Sequence, residues 1–421
     1  MASTPSEDFA RAAVPEQSGS SGLHLALIVV GGTIGFSVFI VSAQIGGALG
    51  FQGAGLAFVL GSLVLGLMGA ATSYIGARSR LSTYLLTQHA FGPSGAKIAN
   101  LTIALSLIGW YGVISNFVGM ASHSILRDSF GIDVPAYWMV LLASTLMIWV
   151  TLRGFKGIDR LALWLVPVMA GFVVFAAYKS TLYSGVAGPM GAGSFSVKTA
   201  ISAVIGTYIA GVIIQPDYSR FASGTRQATW AIFIALGVIY PAILFLSAVP
   251  SIYVGDTDLL HVLGVLGLAL PAFLLLLLGA WSSNVLCLYS SGLSIATVST
   301  RLSLTHIILG IGIVGTAIAL VPAQAYLVNF LVVLGVIIPP IGAIYVLDAW
   351  LLRRFDFDEA QLLGAPRYQW PALLAWAGGS SLGFAAHFGY GTLSGVASFD
   401  ALILTSVLFA VFNLRQFKRS V

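Results

Sequence analysis

Charge is scarce in this chain: Asp, Glu, Lys and Arg make up 8% of its 421 residues, against about 25% in a soluble domain. With 58% hydrophobic residues and a mean hydropathy of +0.97, there is too little charge to cover a water-facing surface, which excludes an ordinary soluble domain. A single cysteine, Cys287, excludes an intramolecular disulfide and a cysteine-based metal site. The six histidines are scattered with no i, i+4 pair, and no H-E-x-x-H motif, phosphate-binding G-x-x-x-x-G-K-[ST] loop or filter-like repeat is present. Paired carboxylates are absent from the apolar segments. Neither an enzyme, a channel nor an ATP-driven pump is therefore expected, and no cofactor. The net charge of +5 is read as basic cytoplasmic loops rather than nucleic-acid binding. Residues 1–20 lack a basic stretch followed by an apolar core, so they read as a short disordered cytoplasmic tail and not as a cleaved signal.

What the chain has instead is apolar length. A spanning helix needs about 20 apolar residues, and twelve segments qualify: 23–50, 54–76, 98–124, 137–152, 161–179, 199–216, 229–250, 268–298, 304–321, 326–352, 369–388 and 398–414. Asp256–Leu266 reads as a short external helix between the seventh and eighth. Lipid offers no partner to a free backbone group, which forces an all-α integral membrane fold; the runs are too long and too uniformly apolar for a β-barrel. With both termini in the cytoplasm, 16 of the 19 Lys and Arg fall on the inner side and only Arg127, Lys179 and Lys198 outside. That asymmetry sets the expected orientation in the cell's inner (plasma) membrane.

Some segments carry helix-weakening residues. Segment 1 contains Gly31-Gly32-Thr33-Ile34-Gly35 and then Gly46-Gly47; segment 6 contains Gly206 and Gly211 and ends at Pro216; segment 10 contains Pro339-Pro340. Glycine costs a helix interior about 1 kcal/mol and proline about 3. Any one glycine is equally well explained by close helix packing. Weak spots in two segments five apart, however, point to a transporter built from inverted repeats.

Four stretches resemble the nucleobase–cation symporter family, in its purine/cytosine permease branch: Ser73–Arg78 leading into Leu81-Ser-Thr and Phe91-Gly92; Gly109-Trp110-Tyr111-Gly112; Gly206-Thr207-Tyr208 followed by Asp217–Phe221; and Trp281-Ser282-Ser283-Asn284 with Tyr289–Gly292. The resemblance implies a 5+5 inverted repeat of the amino acid–sodium symporter type plus two C-terminal helices, working by alternating access. The implied organisation is a tail at 1–22, repeats at 23–179 and 199–352, two further helices at 369–414, and a tail at 415–421. Import of a nucleobase or related planar heterocycle by cation symport is the expected function. A proton-coupled carrier of a nucleobase-like or thiamine-precursor pyrimidine, or an amino acid carrier of the same fold, are the alternatives.

Trp110 and Tyr208 stand mid-segment, where a planar ring is well held between aromatic faces, and the resemblance makes them the substrate clamp. Polar substrate partners are expected from Asn284, whose amide offers donor and acceptor, from Thr207, Ser106, Asn116 and Gln44, and from backbone groups freed at Gly35 and Gly206. Leu107 and Ala210 stand where the resemblance leads one to expect glutamine and serine, so a less polar or differently substituted ring than cytosine is expected. Sodium prefers oxygen ligands, and the resemblance places it between the hydroxyls of Ser282 and Ser283 and the carbonyls of Gly31, Ile34 and Gly279. The lack of an intramembrane carboxylate or histidine favours sodium over protons. Asp217 and Arg220, three residues apart, read as a local pair at a helix end.

Overall fold

The structure is a computed structural model and describes residues 14, 19–153, 158–185, 196–298, 302–357, 362 and 364–414. Among these residues helices are the regular secondary structure, joined by turns and loops, apart from one isolated bridge, Ser20 to Ala222. The helices are α1 (Gly22–Thr33), α2 (Phe36–Ser79), α3 (Thr83–Phe91), α4 (Gly95–Phe130), α5 (Ala136–Arg153), α6 (Ile158–Thr181), α7 (Val197–Ile213) and α8 (Gln215–Ser219). They continue with α9 (Thr225–Ile234), α10 (Tyr240–Val254), α11 (Leu259–Val265), α12 (Ala269–Val298), α13 (Leu304–Ala319), α14 (Ala323–Leu347), α15 (Trp370–His387) and α16 (Ala397–Phe412). A π-helical turn, Ala235–Ile239, joins α9 to α10, and another, Asp348–Leu352, ends α14. Among the described residues six helices are long and apolar enough to cross a membrane, and five apolar helices of 10–17 residues accompany them.

The expected interruptions are redistributed. Segment 1 breaks only at Ile34 and Gly35, while Gly46 and Gly47 lie inside α2. Segments 1 and 2 share one continuous element, kinked at Gly50 (φ 63°, ψ −170°) where glycine alone is at ease. Segment 6 breaks at Ile214, one turn beyond Gly211, so that Pro216 sits in the first turn of α8 and Gly206 lies inside α7. No backbone group is freed at Gly206, contrary to expectation; its missing side chain admits α14, because a Cβ there would meet the Leu331 backbone, 2.6 Å from its carbonyl carbon. Pro339 and Pro340 sit within an unbroken α14. Leaving the helix in lipid would strand several backbone groups; the prolines take the i+4 donors from the Gly335 and Val336 carbonyls, and Trp376 Nε1 donates close by, to the Ile337 carbonyl (2.9 Å). The short helix expected around 256–266 is α11. Helix α3 was not foreseen: at nine residues it is too short for a span, though its caps, Ser82 accepting from the Leu85 N–H and Gly92 at its end, were in plain view. Of the tail expected to be disordered, Val14 donates its N–H to the Arg80 carbonyl (3.1 Å) and Ser20 donates to Phe221 (2.8 Å).

The spans sort into two groups. In the first, α2 packs on α7, α9 and α10, and α1 packs on α9; in the second, α4, α5, α12 and α13 all pack on one another. Helix α6 touches α1, α10 and α12, and α14 touches α2, α4 and α7, so each spans both groups. Helices α15 and α16 pair and lean on α14. Close packing replaces the hydrophobic drive that lipid does not supply: a Cβ at Gly46 would lie 2.7 Å from Ala248 Cβ, and one at Gly47 would lie 2.6 Å from the Asp256 carbonyl oxygen. Outward faces are apolar, with Val59, Leu67 and Ile313 all exposed, as lipid requires.

The α7–α14 contact at Gly206 gives a direct test. Gly206→Ala is expected to destabilise the protein by about 1–3 kcal/mol through overpacking, seen as a lower midpoint of thermal unfolding in detergent. Gly171→Ala on α6, where a Cβ meets open space, should leave the midpoint unchanged or raise it. Equal midpoints for the two variants would refute the close approach.

Candidate functional site

The break between α1 and α2 releases backbone oxygens. The Gly35 N–H donates to Thr33 O (3.0 Å), away from the Gly31 carbonyl it would bond in a continuous helix. The Val38 N–H donates to Gly35 O (3.1 Å) in place of the Ile34 carbonyl. Gly31 and Ile34 thus both lose their helical partners, and both belong to the expected cation set. The break faces α12. A Cβ on Gly35 would lie 3.2 Å from Ser283 Oγ, and one on Gly279 would lie 3.9 Å from Ile34 O. Ile34, Gly35, Gly279 and Ser283 therefore meet across one helix–helix contact, while a Cβ on Gly31 would face Val166 of α6 (3.2 Å). The Ser282 side chain lies outside the described residues.

The second break, at Ile214, is closed by side chains. Thr72 Oγ1 donates to the Val212 carbonyl (2.9 Å), and the Tyr345 hydroxyl (2.9 Å) and Thr83 Oγ1 (3.4 Å) donate to that of Ile213. Asp217 accepts from the Thr83 N–H (2.8 Å) and Arg220 Nε donates to the Asp217 carbonyl (3.2 Å), so the Asp217–Arg220 pair is built into this seam.

The expected substrate residues are joined by a run of neighbours. Tyr208 on α7 carries its ring over Gly211 and sets its hydroxyl beside Gly32, 3.3 Å from where a Cβ would stand. Three residues on, Gly35 meets Ser283, and the next residue, Asn284, donates its amide to the Tyr111 carbonyl (3.3 Å), Ser115 Oγ (2.9 Å) and Met147 Sδ (2.8 Å). Tyr111 follows Trp110. Trp110 is buried on α4, and Tyr208 is half-buried on α7, so the two aromatics belong to opposite helix groups. The Asn284 Oδ1 atom is buried and has no hydrogen-bond partner among the described residues. Thr207 and Ser106 are less open: Thr207 Oγ1 bonds the Val204 carbonyl (2.5 Å) and the Tyr240 hydroxyl (2.6 Å), and Ser106 Oγ donates to Ile103 O (2.7 Å). Leu107 and Ala210 are buried beside them in sequence.

Sequence reasoning missed Phe330 of α14. Its ring stands edge-on to Trp110 at 5.4 Å between centroids and 79° between planes, and a Cβ on Gly109 would lie 2.7 Å from it. The one local hint was a glycine next to a mid-membrane tryptophan; nothing in segment 10 singles out this phenylalanine.

Residues 16–402 match the family described as permease for cytosine/purines, uracil, thiamine, allantoin. The chain belongs to that family. It is a membrane transporter and not an enzyme. It is 26% identical over 411 residues to the cytosine permease of Escherichia coli (strain K12), covering 96% of this chain and 94% of that one. In fold it is similar to Mhp1, a nucleobase-cation-symport-1 family transporter. The inward-facing Mhp1 structure has a TM-score of 0.82 at 18% identity, over 99% of this chain and 94% of that one. The closed Mhp1 structure with bromovinylhydantoin bound has a TM-score of 0.78 at 18% identity, over 99% and 96%.

The Asn284 amide ties α12 to α4 and α5. Asn284→Ala is expected to cost about 1–3 kcal/mol of stability through the stranded partners, read as a lowered unfolding midpoint in detergent. An unchanged midpoint would mean that the amide is not a structural tie.

Proposed function

We propose that this permease imports a nucleobase or related planar heterocycle together with sodium, by alternating access between the two helix groups. The observation that carries the reading is the α1–α2 break set against Gly279 and Ser283, with the Gly31 and Ile34 carbonyls out of the helical ladder. Carbonyl and hydroxyl oxygens suit a hard cation. The sodium ligands in this reading are the carbonyls of Gly31, Ile34 and Gly279 and the hydroxyls of Ser282 and Ser283.

The heterocycle lies between Trp110 and Tyr208, against the backbone at Gly35, with Thr207 and Ser106 at its edge. Asn284 supports this, since its open Oδ1 can accept from a ring N–H one residue from the sodium hydroxyls. Leu107 and Ala210 make the pocket less polar, so strong preference for cytosine is not expected. The name of the Escherichia coli relative keeps cytosine among the compounds to compete, and the bromovinylhydantoin of the Mhp1 structure makes hydantoins natural probes.

Coupling follows from position. Ion and substrate share the segment Ile34–Gly35, so sodium that orders this segment forms the substrate's backbone contact in advance. Linkage then requires that substrate tighten sodium by the same factor. The grouping of helices supports a repeat of five spans: α1 and α2 sit with α7 and α9–α10, α4 and α5 sit with α12 and α13, and α6 and α14 bridge, so each span joins the one five places later. This reading has twelve spans, repeats at 23–179 and 199–352, two added helices at 369–414, and both termini in the cytoplasm.

Trp110→Ala should weaken heterocycle binding by about 1–3 kcal/mol, the range for lost ring stacking on a base, measured by calorimetry on purified protein; unchanged affinity in a folded variant rules out the clamp. Ser282→Ala combined with Ser283→Ala should abolish the sodium dependence of binding and leave a weak, sodium-independent affinity. Titration at fixed ionic strength, with choline replacing sodium, reads this out. Affinity that is flat in sodium while uptake follows a proton gradient would replace the reading with a proton-coupled carrier.

A further inference from the structure

A second polar feature lies away from the transport pathway. Where α3, the π-helical turn after α14, the start of α15 and the end of α16 meet, there is a cavity of ≈ 260 Å³ whose lining includes Asp348, Arg353, Asp356, Gln369, Phe409 and Asn413. The π-helical turn brings residues five apart onto one face. Arg353 Nε donates to Asp348 Oδ2 (2.7 Å) and its Nη2 to the His89 carbonyl (2.6 Å), which pins the guanidinium to both α14 and α3. Burial, and then the charge of Arg353 beside it, lowers His89 to about 4, so near neutral pH it adds no positive charge here. Asp348 is matched by Arg353, and Asp356, exposed at the rim, leaves the lining with one carboxylate in excess.

The surroundings fix the level of this cavity relative to a bilayer. Trp350 (50% exposed), Tyr368 (41%) and Trp370 (61%) turn outward around it, the last two with ring centroids 5.7 Å apart. Exposed tryptophan and tyrosine mark the membrane–water boundary. Arg354 and Arg367 lie exposed on the two strands of chain that frame the cavity, next to Arg353 and two residues before Gln369. The site therefore stands at headgroup depth, with a carboxylate inside, two amides beside it, arginines at the edge and an apolar wall at Phe409.

We propose that this cavity seats a membrane lipid whose headgroup is phosphoethanolamine. The primary ammonium pairs with Asp356 and hydrogen-bonds to the Gln369 and Asn413 amides, the phosphate faces Arg354 and Arg367, and the glycerol end runs along Phe409. A bis-anionic or uncharged headgroup would leave Asp356 unmatched. Phosphatidylcholine carries the same phosphate but no ammonium N–H, so it lacks the charge-assisted bonds.

The full-length protein in nanodiscs of matched acyl chains tests this. Native mass spectrometry and thermal unfolding should show phosphatidylethanolamine retained about tenfold or more over phosphatidylcholine, the scale of one lost charge-assisted hydrogen bond, with a higher unfolding midpoint. Asp356→Asn should erase that difference without changing the midpoint in phosphatidylcholine, and Asp356→Glu should keep it. Equal retention of the two lipids, a preference that survives Asp356→Asn, or stronger retention of phosphatidylglycerol would overturn the proposal. So would equal protection by soluble O-phosphoethanolamine at the same concentration, which would assign the site to a free metabolite.

Discussion

The opening of the helical ladder at Ile34 and Gly35 is the constraint around which the rest is arranged. In a bilayer each unpaired backbone group costs several kcal/mol, so a broken helix is stable only where protein covers the break. Here α12 provides the cover, through Gly279 and Ser283. The geometry leaves carbonyl oxygens that no N–H in the ladder claims, and a cluster of partial negative charges in a dry interior needs a compensating donor or cation. The two breaks differ in this respect. At Ile214 hydroxyls of α2, α3 and α14 close the carbonyls; at the first break Ser283 Oγ stands 3.2 Å from where a Cβ on Gly35 would lie.

Packing turns that local feature into a device between two bodies. One body gathers around α2 and the other around α4, and the broken segment belongs to the first while its cover belongs to the second. Glycines let the helices approach until backbones nearly touch, as Gly206 of α7 does with Leu331 of α14. Such contacts are stiff, because an interior packed at crystal-like density has no slack. Relative motion is thus expected to concentrate at the interface between bodies, where Trp110 and Tyr208 stand on opposite sides. Phe330 on the bridging α14, edge-on to Trp110, couples that interface to a helix that touches both bodies.

The polar groups off this axis are satisfied in ways that hold the connections between helices together. Arg353 joins the end of α14 to α3, Asp217 joins α8 to the start of α3, and Ser20 pairs with the loop after α8. Helix α3 is therefore a strut bonded at both ends. Its position explains why a short segment of mixed polarity is helical at all: nine residues in water would be marginal, and tertiary bonds supply what its length does not.

By itself the sequence determined the solvent and the class. A chain with so little charge and so many apolar runs of about twenty residues has to be a bundle of membrane helices, because lipid leaves the backbone no other choice. It also offered the residues of the candidate site, through a resemblance carried by Gly-rich stretches, mid-membrane aromatics and adjacent serines. Only the tertiary structure decided which weak points became breaks. Gly206 and Gly211 stayed helical with neighbours packed against them, and Pro339-Pro340 sit inside a continuous α14, whereas the chain opened at Ile214, where other helices donate to the freed carbonyls, and at Ile34, which α12 covers. Helix propensity is worth about a kilocalorie per residue, and a buried, unmatched backbone bond is worth more. The location of a break is therefore set by what lies across from it, and for Gly35 that means Ser283, more than two hundred positions away.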